Sequence, residues 1–100
     1  MMDYLAELSK KIREKFGNDV EKIILFGSYA RGDYDKDSDI DLLVIVKDRK
    51  IEYDLRKIVY SFIPHVGKLI SVKVIESRDY KRLKDTSFIR SIEGEGVVIG

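Results

Sequence analysis

The sequence has no cysteine, one histidine and one proline, and each scarcity excludes a class of function. Without cysteine, disulfides, thiolate zinc sites and cysteine nucleophiles are all excluded. A single histidine, His65, excludes metal sites built from several histidines and leaves one candidate for histidine base chemistry. His65 follows the only proline, Pro64, in a predicted turn, where a surface or packing role is favoured over a catalytic one.

The chain also lacks long apolar runs and a net charge of one sign. No apolar stretch reaches the roughly 18 residues of a membrane span and the N-terminus has no secretory pattern, so we expect a cytoplasmic protein without a membrane partner. The 19 Lys and Arg residues nearly balance the 18 Asp and Glu residues. No net field therefore attracts nucleic acid, and strong general binding to it is not expected.

Glutamine is absent and asparagine occurs once, whereas isoleucine occurs 13 times. Because heat-labile side chains are depleted and the surface is rich in Lys and Glu, we expect a thermophilic source. Charged residues make up 37% of the chain and hydrophobic residues 44%, which excludes a disordered chain. The length of 100 residues predicts one small domain over 1–100.

The hydrophobic pattern predicts an α/β (α+β) fold in which helices pack on a small mixed β-sheet, in the order α-β-β-α-β-α-β. The second strand is almost continuously apolar, so we expect it to be buried on both faces. The predicted elements are a helix over 3–16 capped by Asp3, strands over 21–26 and 40–46, a helix over 51–63 stopped by Pro64, a strand over 68–75, a charged helix over 77–85 that restarts at Thr86 or Ser87 and ends at Gly94 and Gly96, and a strand over 97–99.

Asp39 and Asp41 stand at the start of the second predicted strand, beside an apolar run. Residues two apart on a strand project from the same face, with backbones about 6.6 Å apart. Two carboxylates held side by side repel each other, and a divalent cation relieves the repulsion. Oxygen ligands without nearby Cys or His favour magnesium or manganese over zinc. The alternative is that both acids only cap a strand edge.

Gly27 and Ser28 follow the first predicted strand directly, and Arg31 lies three residues further on. Glycine permits a tight turn and close backbone approach, so amides and the serine hydroxyl can meet a phosphate, for which arginine is a forked donor. Alone, this segment is more typical of a plain turn, and it matches neither a P-loop nor a dinucleotide fingerprint. Combined with the acid pair, it indicates magnesium-assisted chemistry on a nucleotide.

A calcium loop is a rival interpretation, because five aspartates alternate from position 33 to position 41. The sixth position of such a loop requires glycine and the twelfth a bidentate glutamate, whereas this chain has Ser38 and Val44 there. The flanking segments are also predicted strands instead of helices, so the calcium interpretation is disfavoured.

The pattern Gly27-Ser28, ten residues, Asp39-x-Asp41 resembles the signature of the nucleotidyltransferase superfamily related to DNA polymerase beta. The strings Gly-Ser-Tyr-Ala-Arg-Gly and Ser-Asp-Ile-Asp-Leu-Leu-Val, with the closing segment 87–99, are similar to its smallest branch, the minimal nucleotidyltransferases. The resemblance covers nearly the whole chain. It implies the polymerase beta-like fold and transfer of a nucleoside monophosphate, expected to be AMP from ATP, to a hydroxyl acceptor.

The same resemblance implies a role for each motif residue. Asp39 and Asp41 would be the catalytic acids that hold Mg²⁺ or Mn²⁺, and Gly27, Ser28 and Arg31 would bind the nucleotide.

One departure from the family pattern concerns a third carboxylate, which active members usually carry on the next strand. Our alignment places Ser71 there, and Lys73 projects from the same face. Glu76 falls on the opposite face of a regular strand.

Because the chain is short, a second copy or another protein is expected to complete the site. The resemblance implies a helical HEPN protein as that partner, in a toxin–antitoxin pair where this chain is the antitoxin. The alternative is a weak or inactive protein that binds nucleotide or partner and neutralises a HEPN protein by contact alone.

Overall fold

The structure, a computed structural model, describes residues 2–100 and contains a four-stranded sheet with helices on both faces. The helices are α1 (Met2–Phe16), α2 (Ser28–Arg31), α3 (Glu52–Ser61), α4 (Ile63–Val66), α5 (Ser77–Arg82) and α6 (Ser87–Glu95). The strands are β1 (Val20–Phe26), β2 (Ile40–Val46), β3 (Ile70–Glu76) and β4 (Val97–Val98), and 3₁₀ turns span Gly17–Asp19 and Arg49–Ile51.

The strands lie in the order β3-β2-β1-β4. β2 runs parallel to β3 and antiparallel to β1, and β4 pairs antiparallel with the outer side of β1. The predicted mixed sheet is therefore confirmed. β2 lies in its interior, and six of its seven residues are buried, which confirms the prediction drawn from its continuous apolarity.

The two faces of the sheet are covered unequally. One face packs against α1 and α3 and forms the main core, whose buried side chains include Leu8, Ile12, Leu42, Val44, Leu55 and Val59. The opposite face carries a small buried cluster of Ile24, Leu43, Ile45 and Ile92 beneath α5 and α6. Asp41 shares this second face with Leu43, because the two residues are two apart on β2.

The structure corrects three details of the predicted helices. Pro64 does not stop a helix over 51–63, because α3 already ends at Ser61. Pro64 instead lies in the first turn of α4, where a backbone N–H has no partner within the helix and its absence in proline breaks no hydrogen bond. Asp3 lies within the first turn of α1 and does not cap it. Gly94 lies inside α6, which ends at Glu95 with Gly96 as its C-cap residue.

Other predicted boundaries are confirmed or shortened. Thr86 caps α6 by accepting a hydrogen bond from the backbone N–H of Ile89, so the predicted restart is confirmed. The charged helix over 77–85 is shorter, since α5 ends at Arg82. Within residues 2–100, none of the helices combines the length and apolar character needed to cross a bilayer.

The buried strand makes a direct test of the core. Leu42 is 0% exposed, so we expect Leu42→Ala to lower the free energy of unfolding by about 2–5 kcal/mol in urea denaturation. Leu69→Ala is the matched control, because Leu69 is 64% exposed and its truncation should change stability by less than about 0.5 kcal/mol. Equal losses at the two positions would contradict the assigned core.

Candidate active site

The turn after β1 is built around Gly27. Its φ is 77°, in the left-handed region that favours glycine, and α2 starts at the next residue, Ser28. The carbonyl of Gly27 accepts hydrogen bonds from the backbone N–H groups of Ala30 and Arg31, each at 3.1 Å. Gly32, also at positive φ, ends the turn by donating its N–H to the carbonyl of Ser28 at 2.9 Å. The predicted loop thus begins with a helical turn that the sequence analysis did not foresee.

Asp41 packs directly against this turn. It is the second residue of β2 and pairs with Phe26, the residue before Gly27. A Cβ built on Gly27 would lie 3.2 Å from Cγ of Asp41 and would collide with the carboxylate. Glycine is therefore favoured here for two reasons, its backbone conformation and the close approach of the acid, which a Cβ would displace. The predicted turn therefore meets Asp41, one member of the predicted acid pair.

Asp39 lies immediately before β2 and is exposed, whereas Asp41 is half-buried. Burial raises the pKa of Asp41 above its ordinary value, and the nearby Asp39 carboxylate raises it further. The positive charges of Lys73 and Arg31 oppose this shift. The structure therefore brings Asp39 and Asp41 together in a site that destabilises their simultaneous ionisation.

Arg31 lies at the end of α2, and two carboxylates bind its guanidinium. Nε donates to Oδ2 of Asp33 at 3.2 Å, and Nη1 donates to Oε1 of Glu95 at 3.2 Å. Asp33 is the main cause of the raised pKa of Arg31. Glu95 lies 64 positions away at the end of α6, and no local sequence pattern predicts such a tertiary contact.

The strand β3 shows what replaces a third carboxylate. Ser71 pairs with Asp41 in the parallel register, and Lys73 lies two residues further on the same face. Glu76 pairs with Val46 at the far end of β3 and accepts a hydrogen bond from the backbone N–H of Arg49 at 2.9 Å. Among residues 2–100, no group of three or more His, Cys, Asp and Glu side chains is placed to hold a metal ion.

The loop between α2 and β2 does not have the structure of a calcium loop. It lies between a single helical turn and a strand, whereas the calcium loop is flanked by two helices. The Asp35 carboxylate accepts hydrogen bonds from the N–H of Asp37 at 2.9 Å and the hydroxyl of Ser38 at 3.2 Å. Asp35 therefore closes a local turn.

Two aromatic contacts complete the description. The rings of Tyr29 and Tyr34 stack at 4.3 Å with an interplanar angle of 9°, beside the Gly27 turn. His65 stacks on Tyr4 at 6.3 Å, far along the chain from the acid pair. This contact agrees with the predicted packing role of the histidine.

Alanine substitutions at Gly27 and Gly32 separate the effect of the contact with Asp41 from the effect of backbone strain. Alanine at Gly27 or Gly32 must adopt a positive φ, which is unfavourable by about 1–2 kcal/mol in both cases. Only at Gly27 does the new Cβ meet another group, since nothing lies within 4 Å at Gly32. We expect Gly27→Ala to lower the free energy of unfolding by at least about 1 kcal/mol more than Gly32→Ala in urea denaturation. Equal losses would show that the contact is unimportant.

The raised pKa of Asp41 predicts a pH-dependent effect of Asp41→Asn. The pKa of Asp in an unfolded chain is about 3.9, and in the folded protein the pKa of Asp41 is higher. Ionisation of Asp41 therefore lowers the stability of the folded protein progressively as the pH rises from the unfolded pKa through the folded pKa. In metal-free buffer with chelator, we therefore expect Asp41→Asn to be more stable than wild type at pH 7, with the difference vanishing below about pH 4. Asp37→Asn, in the exposed loop, is the control for loss of charge. A less stable Asp41→Asn variant at pH 7 would contradict the prediction.

Comparisons with known proteins agree with this geometry. The nucleotidyltransferase domain family matches residues 5–99. A Methanocaldococcus jannaschii protein that carries the name protein adenylyltransferase, MJ0141, is 34% identical over 102 aligned positions, which cover 99% of this chain and 98% of the relative.

Two solved structures share the fold. A Sulfolobus solfataricus protein described as a nucleotidyltransferase has a TM-score of 0.62 and 28% identity, over 98% of this chain and 78% of its own. The complex of a tri-AMPylated Shewanella oneidensis HEPN toxin with its MNT antitoxin contains a chain with a TM-score of 0.56. That chain is 17% identical, and the alignment covers 100% of this chain and 72% of that chain. At this identity the similarity concerns the fold alone.

The family match spans nearly the whole chain and includes both the Gly27 turn and the acid pair. The mixed sheet that joins these two motifs is the polymerase beta-like fold that the sequence predicted. The chain belongs to the minimal nucleotidyltransferase family and is a nucleotidyltransferase.

Proposed function

We propose that this protein transfers AMP from ATP to a hydroxyl group of another protein. The observation that carries the proposal is the packing of Gly27 against Asp41, because it allows one ligand to touch the turn and the acid pair together. In the reaction, the acceptor oxygen forms a bond to the α-phosphorus as the bond to the β-phosphate oxygen breaks. Pyrophosphate leaves, and the hydroxyl proton passes to solvent.

Gly27 and Ser28 are proposed to hold the terminal phosphates of ATP, with Arg31 beside them. The turn contains backbone N–H groups and the Ser28 hydroxyl, and phosphate oxygens accept hydrogen bonds from such donors. Arg31 has five N–H groups, of which the contacts with Asp33 and Glu95 use two, so donors are left for a phosphate oxygen. Both carboxylates orient its planar guanidinium.

Asp39 and Asp41 are the proposed catalytic acids and the ligands for Mg²⁺ or Mn²⁺. Two carboxylates fit a hard divalent cation, which accepts water and phosphate oxygens at its remaining positions. The raised pKa of Asp41 has the cause expected for such a site, since burial and a neighbouring like charge both disfavour its ionised form. Asp39 and Asp41 would hold a divalent ion there, and it would supply neutralisation of the charge that develops on the transferred phosphate.

The proposed acceptor is a HEPN-type helical protein, and the proposed role of this chain is that of its antitoxin. Two findings support this proposal: the relative named as a protein adenylyltransferase and the structural neighbour in complex with a tri-AMPylated HEPN toxin. The acid pair lies at an open surface, with Asp39 exposed, so another chain is needed to enclose the reacting groups. A second copy of this chain is the alternative source of that wall.

A second candidate function is neutralisation of the partner by contact alone. The observation that favours it is Ser71, which occupies the position beside Asp41 where active relatives are expected to carry an acid. A hydroxyl neither neutralises a second metal ion nor accepts the proton of the attacking group at neutral pH. Transfer would then be slow or absent, whereas binding of the partner would persist.

Labelling separates the two functions. The chain is incubated with ATP labelled on its α-phosphate, magnesium and a HEPN-type protein from the same genome neighbourhood. Enzymatic transfer places label on the HEPN protein, and Asp39→Asn should reduce the rate by at least about 100-fold through loss of metal binding. Asp37→Asn, the same change in the exposed loop, should retain the activity. Tight association without label, unchanged by Asp39→Asn, would support neutralisation by contact.

Calorimetry tests the metal site independently of the acceptor. We expect Asp41→Asn to weaken magnesium-dependent ATP binding by about tenfold or more while the fold is retained, because one of the two anionic ligands is lost. Circular dichroism checks the fold. Binding equal to wild type in the presence of magnesium would show that Asp41 does not hold the metal.

A further inference from the structure

An open groove of about 300 Å³ lies between the β2–β3 edge of the sheet and the helices α5 and α6. We name it the β3–α5 groove. Its apolar lining includes two large side chains that remain exposed, Leu83 at 37% and Phe88 at 48%. Three cationic side chains also line it, namely Arg49, Lys73 and Arg82. Asp79 is the single anionic lining residue.

The groove continues directly from the proposed active site. Its floor residue Leu43 lies two positions beyond Asp41 on β2, and Lys73 lies two positions beyond Ser71 on β3. Two positions along a strand span about 6.6 Å, so Asp41 and the groove share one sheet face at about the length of a side chain. Nζ of Lys73 lies 6.0 Å from the ring centre of Phe88, close to this junction.

The order of the strands determines the direction from which the acceptor arrives. The proposed phosphate turn follows β1, Asp41 lies on the central strand β2, and β3 lies on the other side. In phosphoryl transfer the attacking and leaving oxygens are roughly in line across the phosphorus. If pyrophosphate leaves toward β1, the acceptor oxygen must therefore approach from the β3 side, where the groove lies. This step rests on the proposed function.

The charges of the groove indicate what it accepts. Arg82 contacts Asp79 at 3.2 Å and Arg49 contacts Glu52 at 3.0 Å, yet both arginine side chains are more than half exposed, at 74% and 52%. Each guanidinium therefore keeps donors for a further carboxylate. Because three cations and one anion surround an apolar floor, the complementary ligand has an apolar side chain flanked by acidic groups.

We infer that the β3–α5 groove docks the acceptor protein through a segment that combines an apolar side chain with acidic neighbours, and so presents its hydroxyl to Asp39 and Asp41. The apolar side chain packs against Leu83 and Phe88, and the acidic side chains pair with the cations of the groove. This arrangement deepens the proposed function by defining the class of protein segment that the site selects.

Two fluorescein-labelled peptides test the groove directly, Gly-Leu-Asp-Tyr-Asp-Gly and Gly-Leu-Lys-Tyr-Lys-Gly. Fluorescence anisotropy at low salt should show the acidic peptide binding about tenfold more tightly than the basic one. Arg82→Glu should abolish this preference. Arg90→Glu is the matched control, because Arg90 is an exposed α6 residue that does not line the groove, and it should leave the preference intact.

Several outcomes would overturn the inference. The first is equal or undetectable binding of the two peptides. The second is displacement of the acidic peptide by ATP with magnesium, which would assign the groove to the nucleotide. The third is a dimer in sedimentation that Arg82→Glu dissociates, which would assign the groove to a second copy of the chain. Labelling of both peptides from ATP with equal efficiency would refute the docking groove and leave the transferase function standing. Preferential binding of the acidic peptide without any labelling would support the groove and count against the proposed function.

Discussion

The close approach of Gly27 and Asp41 is the constraint on which the site depends. The antiparallel pairing of β1 with β2 sets Phe26 opposite Asp41. The chain therefore leaves the sheet at Gly27, directly beside the Asp41 carboxylate. Only a residue without a Cβ leaves room for that carboxylate and also accepts a φ of 77°. Two motifs that are separated by ten residues in the sequence thereby become one surface.

The electrostatics of this surface follow from its position on the sheet. Asp41 is half-buried beside Asp39, which raises its pKa, and Lys73 and Arg31 compensate only in part. A cation is the simplest complement to such a pair. Ser71 and Lys73 make the β3 side neutral to positive where the family pattern leads one to expect an acid. Each neighbouring element therefore brings one cationic side chain near Asp41, Arg31 from the turn after β1 and Lys73 from β3.

Much of the fold could be predicted from the sequence because its signals are local. The continuous apolar run of β2 and the spacing of apolar residues in α1 each report burial directly, and both elements appear close to their predicted bounds. The association of the turn with the acid pair is indicated by their positions at the ends of neighbouring predicted strands, and the family resemblance supports it. The ion pair of Arg31 with Glu95 and the tolerance of Pro64 in α4 could not be predicted, because they depend on tertiary packing and on the position of a residue within a helical turn.

The unequal covering of the sheet also separates two kinds of substitution. The main core under α1 and α3 contains most of the buried side chains, so replacements there are constrained by folding. The opposite face has a small buried cluster and leaves Leu83 and Phe88 exposed beside the acid pair. Substitutions on that face therefore remove less buried apolar area than substitutions in the main core, so its surface chemistry can be altered at a smaller cost in folding free energy.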